Sequence, residues 1–322
     1  EVKKTINAML DADEDDDLNT VSLSGYISAT AASASHTSDN LVRVIYADGS
    51  IVDGTSSRGT AGSETVAEKL AEAREDDDVK AVVLRVNSPG GSALASEVMW
   101  REVELLKAKK PVVVSMGSMA ASGGYYISCG ADAILADRTT LTGSIGVFGL
   151  FGSIDKTLRN KLGVTVDMVR TNPSADMGSI YRPLSQNEVA VGMKQIEWVY
   201  STFVGHVSAG RNMSYEAVDA IGGGRVWSGL DAMQIGLIDG FGGIREAINL
   251  AADRAGVASD FSIDQPSGPS TPFEAFMQAL NSAKAARIKG ELGEAMAHYN
   301  TLQSVLSDRG VQARLPYVIE IQ

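Results

Sequence analysis

"AVVLRVNSPGGS", Ala81–Ser92, is the stretch that decides the fold. Its first eight residues are a nearly continuous β-rich, apolar run, the composition of a parallel strand covered on both faces. "SPGGS" then stops the run, because proline has no N–H for a ladder and a glycine pair turns with little steric cost. Helical spacing resumes over 93–107, and "PVVVSM" (Pro111–Met116) is a second strand. Strand, helix and strand in that order make a βαβ unit with a right-handed crossover.

The alternation continues in both directions. "LVRVIYA" (Leu41–Ala47) predicts a strand, 64–74 a helix, and "AILA" (Ala133–Ala136) another strand. A short helix is expected from Ser122, a longer one over 155–162, and a strand at "VTVDMV" (Val164–Val169). From 186 to 255 the pattern is mostly helical, with "IGGGR" and "DGFGG" placed where glycines end helices. The pattern predicts an α/β fold whose parallel sheet is built from βαβ units over 41–255. Residues 1–40 read as an acidic, small-residue linker. Its "DADEDDD" (Asp11–Asp17) lacks the glycine and terminal glutamate of a calcium loop and is a solvated connector. Residues 256–322 read as a linker and helical C-terminal extension, with a capping box at Thr271–Glu274 and an apolar stripe of Phe273, Phe276, Met277 and Leu280.

The formal net charge of −12 opposes binding to a phosphate backbone. One cysteine, Cys129, excludes an internal disulfide framework and reads as a packed core thiol. His36, His206 and His298 are too scattered to complete a zinc site or a Ser-His-Asp triad. "GFGG" is no dinucleotide fingerprint, and no cofactor is expected. No run reaches the eighteen apolar residues of a membrane span. The first residue is Glu1, so the chain reads as a processed or excised piece.

Chemistry is expected where Gly-rich turns follow strand ends. "NSPGGS" (Asn87–Ser92) offers Gly90 and Gly91, and "AASGGYY" (Ala120–Tyr126) offers Gly123. Facing each other, they would direct two N–H donors at one oxygen, an oxyanion hole. Each alone is as readily a tight βα turn. Ser122 stands where a nucleophile belongs, directly before Gly123 at a helix start whose dipole favours negative charge. Ser115, at a strand end, and Ser128, within the helix, read as packed or capping hydroxyls. With no usable histidine, the base left to a serine is a neutral lysine, whose pKa must fall from about 10.4 by burial. "LTGSIGVFG" (Leu141–Gly149) supplies Ser144, a turn hydroxyl able to hold such an amine.

"LRVNSPGGS", "VVVSMGSMAASGGYYIS", "TLTGSIGVFG" and "GRVWSGLDAMQIGLID", in this order, resemble the signal peptide peptidase A (protease IV) family. The likeness is to the C-terminal half of its long bacterial form and covers about 41–255 well. It implies a ClpP/crotonase-type fold and a Ser-Lys serine endopeptidase that degrades hydrophobic peptides such as cleaved signal peptides. Position by position, it puts the nucleophile on Ser122, the amine-positioning hydroxyl on Ser144, and the oxyanion donors on Gly90 or Gly91 with Gly123. The family's lysine is missing. In short members it lies where this chain has "RTNPSADMGS" (Arg170–Ser179), with Ala175 at its position, and neither Lys161 nor Lys194 replaces it. The resemblance implies that a lysine-bearing N-terminal half supplies the base and the membrane anchor, at the periplasmic face of a bacterial inner membrane, within a ring-like homo-oligomer. Two other readings carry less: a non-catalytic scaffold half, and a crotonase-like acyl-CoA enzyme, which the Ala- and Ser-rich nucleophile turn opposes. "GVFGLFG" (Gly146–Gly152) fits a groove wall or a core equally.

Overall fold

The computed structural model describes residues 38–264 and 311–314. In chain order the strands and helices begin with β1 (Leu41–Asp48), β2 (Ser50–Val52), β3 (Thr60–Gly62), α1 (Ser63–Glu75), β4 (Val79–Ser88) and β5 (Gly90–Ser92). Then come α2 (Ala93–Lys107), β6 (Val112–Ala121), α3 (Gly123–Tyr126), β7 (Ala133–Ala136), β8 (Leu141–Gly143) and β9 (Phe148–Gly149). An arm follows with α4 (Asp155–Leu162) and α5 (Gln186–Arg211), then α6 (Tyr215–Ile221), β10 (Val226–Ser228) and α7 (Gly229–Gln234). β11 (Gly240–Phe241), α8 (Ile244–Arg254), β12 (Ser262–Asp264) and β13 (Val311–Arg314) complete the described chain.

The main sheet runs β10-β8-β6-β4-β1-β12, with β7 beside the first half of β6 and β11 beside β7. All its pairs are parallel except β8 with β10. Burial of β4 explains its composition. Val82, Leu84 and Val86 face the core formed with α1, α2 and α5, whereas Ala81 and Val83 face the one formed with α8. α2 lays Met99, Val103 and Leu106 on the sheet, each fully buried and contributing about 1.5–3 kcal/mol. A second, smaller sheet runs β3-β2-β5-β13-β9.

Several elements depart from expectation. β6 continues past Met116 to Ala121, because β7 pairs its first half and β8 takes over along its second. Ser115 is therefore inside a strand rather than at its end. The two glycines of the Pro-Gly-Gly turn themselves form β5, with Ser92, before α2 begins. Val164–Val169 forms no strand: its β-branched residues are mostly exposed and have no neighbouring strand among the described residues. In "IGGGR", Gly222 does end α6, but "DGFGG" forms β11 and places Gly243 at the start of α8. Most of the acidic lead-in, with His36, lies outside the described residues, as do His298 and the Thr271–Glu274 capping box. Among the described residues, no helix is long and apolar enough to cross a membrane.

Candidate active site

Three turns at the C-terminal ends of neighbouring parallel strands β4, β6 and β8 gather the sequence-predicted residues. Register fixes their heights: Ser88 pairs with Ala120, and Ala121 with Gly143. Ser122 and Ser144 thus each follow directly on a paired strand residue. The Ser122 N–H extends the ladder to the Gly143 carbonyl at 2.8 Å, and its Oγ donates to the Gly146 carbonyl at 3.4 Å. The Ser144 N–H donates to the Arg225 carbonyl at 2.7 Å, and its Oγ to the Gly224 carbonyl at 3.4 Å.

Both serines are buried and both have positive φ, 53° at Ser122 and 48° at Ser144. The third such non-glycine residue among those described is Asn212, an ordinary left-handed helix cap. Ser122 is the most unusual, with ψ −114°, a region that a side chain occupies at a cost of about 1–3 kcal/mol. Strain of this kind persists where the surroundings dictate it, and here it clusters on two facing turns.

Gly90 and Gly123 are in close approach. A Cβ on Gly90 would lie 2.7 Å from the Gly123 nitrogen, and one on Gly123 would lie 3.1 Å from the Gly90 Cα. Gly91 is fixed instead by the sheet, its Cβ position falling 1.9 Å from the Ile51 carbonyl oxygen. The Gly90 N–H is spent on Ser88 Oγ at 3.1 Å, leaving the Gly91 N–H as the turn's candidate donor. α3 is only one turn long, so the dipole expected there reduces to the N–H groups at its start.

Supporting contacts that the sequence did not announce lock these turns. Thr140 and Thr142 donate their hydroxyls to the Gly117 and Ala120 carbonyls of β6, each at 2.8 Å, holding the Ser144 turn against the Ser122 strand. Behind α3, the Tyr126 hydroxyl donates to Glu97, which His206 Nε2 also meets at 3.0 Å while its ring stacks on Trp100. The His206 hydrogen bond holds the Glu97 carboxyl below its usual range, and burial pushes the Tyr126 phenol up. His206 is thus a scaffold residue on α5. Ser115 Oγ accepts from Arg85 at 2.8 Å, and Ser128, just past α3, donates to the Gly124 carbonyl at 2.6 Å. Cys129 is fully buried, and burial raises its thiol pKa.

A base is harder to find. Lys110 has a pKa lowered by burial, yet its ammonium donates to the Ala73 and Asp76 carbonyls at the start of β6. Ser122 lies beyond the other end of that strand, about 30 Å away at 3.3 Å per residue. Lys161 and Lys194 are exposed on the arm, as is Ala175. The segment around Ala175 is closed by Arg182, which meets Asp176 at 2.7 Å and Glu188 at 2.6 Å. Arg182 hydrogen bonds pull both carboxyls down to about 2. Among the described residues, no group of three or more His, Cys, Asp or Glu side chains is arranged for a metal ion.

The parallel sheet, with a strained serine between two glycine turns at its strand ends, defines a ClpP-type fold class. Sequence comparison agrees. The model of the Clp protease family matches residues 33–144, and that of peptidase family S49 matches residues 104–258. Protease 4 of Haemophilus influenzae is 40% identical over 265 residues, covering 82% of this chain and 43% of that protein. Protease 4 of Salmonella typhi is 44% identical over 229 residues, 70% of this chain and 37% of that protein. The chloroplastic serine protease SPPA of Arabidopsis thaliana is 35% identical over 281 residues, 85% of this chain and 40% of that protein. The chain belongs to peptidase family S49, and it spans about two fifths of the length of these relatives.

Proposed function

We propose that this chain is the nucleophile-bearing half of a Ser-Lys endopeptidase acting on extended, apolar peptides such as cleaved signal peptides. The observation that carries the reading is Ser122, a buried serine of strained backbone beside the Gly90–Gly123 approach. Its Oγ attacks the peptide carbonyl and gives its proton to a neutral lysine amine of an upstream half. The carbonyl oxygen takes up negative charge against the N–H groups of Gly123 and Gly91. The protonated amine then passes its proton to the leaving nitrogen, and water releases the acyl group by the reverse route. Ser144, on the neighbouring strand end, receives the lysine amine and orients it.

Apolar substrates suit the surroundings of β9. An open cavity of about 320 Å³ is lined by Phe151, Leu184, Val189, Met193 and Ile196 beside Gly149. Exposed apolar residues on the arm, among them Leu162, Val164, Val169 and Trp198, support assembly with other chains. Because the lysine and any anchor would belong to the upstream half, the periplasmic face of the inner membrane is a property of that assembly.

The test is hydrolysis of a hydrophobic fluorogenic peptide by the chain alone and with the upstream half. Silence alone, rescue on mixing, and a fall of roughly 10⁴-fold or more in Ser122→Ala are expected. Turnover that survives Ser122→Ala would move the reading to a scaffold half. Turnover by the chain alone would place the base within it.

A further inference from the structure

The Ser144 turn leans on a neighbouring loop, Gly222–Arg225, that is almost bare of side chains. Ser144 bonds to that loop twice, through its N–H to the Arg225 carbonyl at 2.7 Å and its Oγ to the Gly224 carbonyl at 3.4 Å. The Gly224 N–H returns a bond to the Ile145 carbonyl at 2.8 Å, and a Cβ on Gly146 would lie 2.6 Å from the Gly224 Cα. The Gly146 carbonyl in turn accepts the Ser122 Oγ, so both serine hydroxyls rest on this packing.

Three glycines in a row are the least stiff sequence a chain can offer. Gly223 and Gly224 have φ of 65° and 79°, and a Cβ on either would meet nothing within 4 Å. Their position is therefore set by hydrogen bonds from outside. Arg225 and Trp227 tie the C-terminal side of the loop back to α6, through the Ala220 and Ile221 carbonyls. The centre is tied by Tyr200, half-buried on α5 against the main core. Its hydroxyl accepts from the Gly223 N–H at 3.2 Å and donates to Asp219 Oδ1 at 2.6 Å. A Cβ on Gly222 would lie 2.9 Å from that hydroxyl, so the oxygen sits directly against the loop. Burial and the bond to Asp219 push the phenol up to about 12, which keeps it a donor at neutral pH.

We propose that Tyr200 is a positioning residue of the reaction: seated on Asp219, its hydroxyl fixes Gly223 and, through Gly224 and Arg225, sets where Ser144 meets the lysine amine. The inference rests on the peptidase reading, in which Ser144 orients that amine. It also joins the site to the arm, since Trp198, exposed two residues earlier, lies on the same helix.

Tyr200→Phe removes one oxygen and keeps the ring. On a hydrophobic fluorogenic peptide with the upstream half present, kcat should fall about tenfold, the equivalent of one hydrogen bond to a charged group. KM should stay as it was, because neither glycine turn that holds the peptide is touched. Tyr215→Phe, at an exposed tyrosine starting α6, is the matched control and should keep the wild-type kcat. The double variant Tyr200→Phe/Ser144→Ala should be no slower than Ser144→Ala, because the hydroxyl that Tyr200 positions is already gone. Hydrogen exchange on the chain alone needs no turnover: protection of the amides of 144, 223 and 224 should fall about tenfold in Tyr200→Phe, with β4 unchanged. Equal kcat in wild type and Tyr200→Phe, a change confined to KM, the same loss repeated in the Ser144→Ala background, or unchanged protection each overturns the inference. Ser122→Ala in the same assay keeps the two readings apart. Turnover that survives it ends the peptidase reading and this role together, whereas unchanged protection with turnover still dependent on Ser122 ends this role alone.

Discussion

Replacing Gly90 by alanine separates backbone strain from the close approach on which the site depends. Gly90 has φ +95°, and a Cβ there would lie 2.2 Å from the Ala313 oxygen, 2.7 Å from the Gly123 nitrogen and 3.1 Å from the Ala121 oxygen. Ordinary contacts begin near 3.5 Å, so the turns must part by about 1 Å. Gly54 is the matched control, with φ +82° and nothing within 4 Å of its Cβ position. Both alanines carry the left-handed cost of about 1–2 kcal/mol. For a domain of this size, that lowers the unfolding temperature of Gly54→Ala by roughly 2–8 °C, and Gly90→Ala loses at least as much. Turnover distinguishes the two. A 1 Å displacement of a donor costs about 10²-fold, and its complete loss about 10²–10³-fold. Gly54→Ala should keep its rate once folded. The assay is kcat on a hydrophobic peptide with the upstream half present, alongside thermal unfolding. If Gly90→Ala turned over peptide as Gly54→Ala does, the approach of Gly90 to Gly123 would not be where the carbonyl is held.

Two further outcomes follow from single contacts. Thr142→Val keeps side-chain volume but removes the hydroxyl that donates to the buried Ala120 carbonyl, so denaturant titration should show a loss of about 1–3 kcal/mol. The Arg182 clamp should be acid-labile. Asp176 and Glu188 are held near 2, below their ordinary 3.8 and 4.5, so their contribution is complete above those ordinary values and is lost as pH falls through about 2. Protection factors across 176–188, with the intrinsic exchange rate divided out, should fall as pH drops through that window, and factors that stay flat would remove the clamp from the account.

Legibility followed covered chain and local turn chemistry. β4 and β7 could be read because strands buried on both faces must be apolar throughout, and α2 because its stripe is regular. Ser122 and Ser144 stood out as turn serines, but their shared backbone strain is a torsional property that no spacing encodes. Thr140 and Thr142 in "TLTGS" went unread, because their donation across the strand end to the Gly117 and Ala120 carbonyls depends on the pairing of β6 with β8. The choice between Gly90 and Gly91 was not readable, because it turns on which N–H is already spent, and that of Gly90 goes to Ser88 Oγ. Val164–Val169 misled because β-propensity has no meaning without a neighbouring strand. The strand β13 was beyond reach, since its partners are two short segments far away in the chain.

The parts of the proposed site that this chain supplies are almost all backbone: two glycine turns, a left-handed serine and the ladder that sets their height. Such parts tolerate little displacement, about half an ångström, and are best built on neighbouring strands of one sheet. A lysine is different. Its flexible stem can span an interface, and its amine becomes a base only where contact with another surface strips it of water. In the reading proposed here, the rigid requirement stays within one chain and the desolvation comes from assembly. A separated half would then be unable to cleave peptides while folding normally.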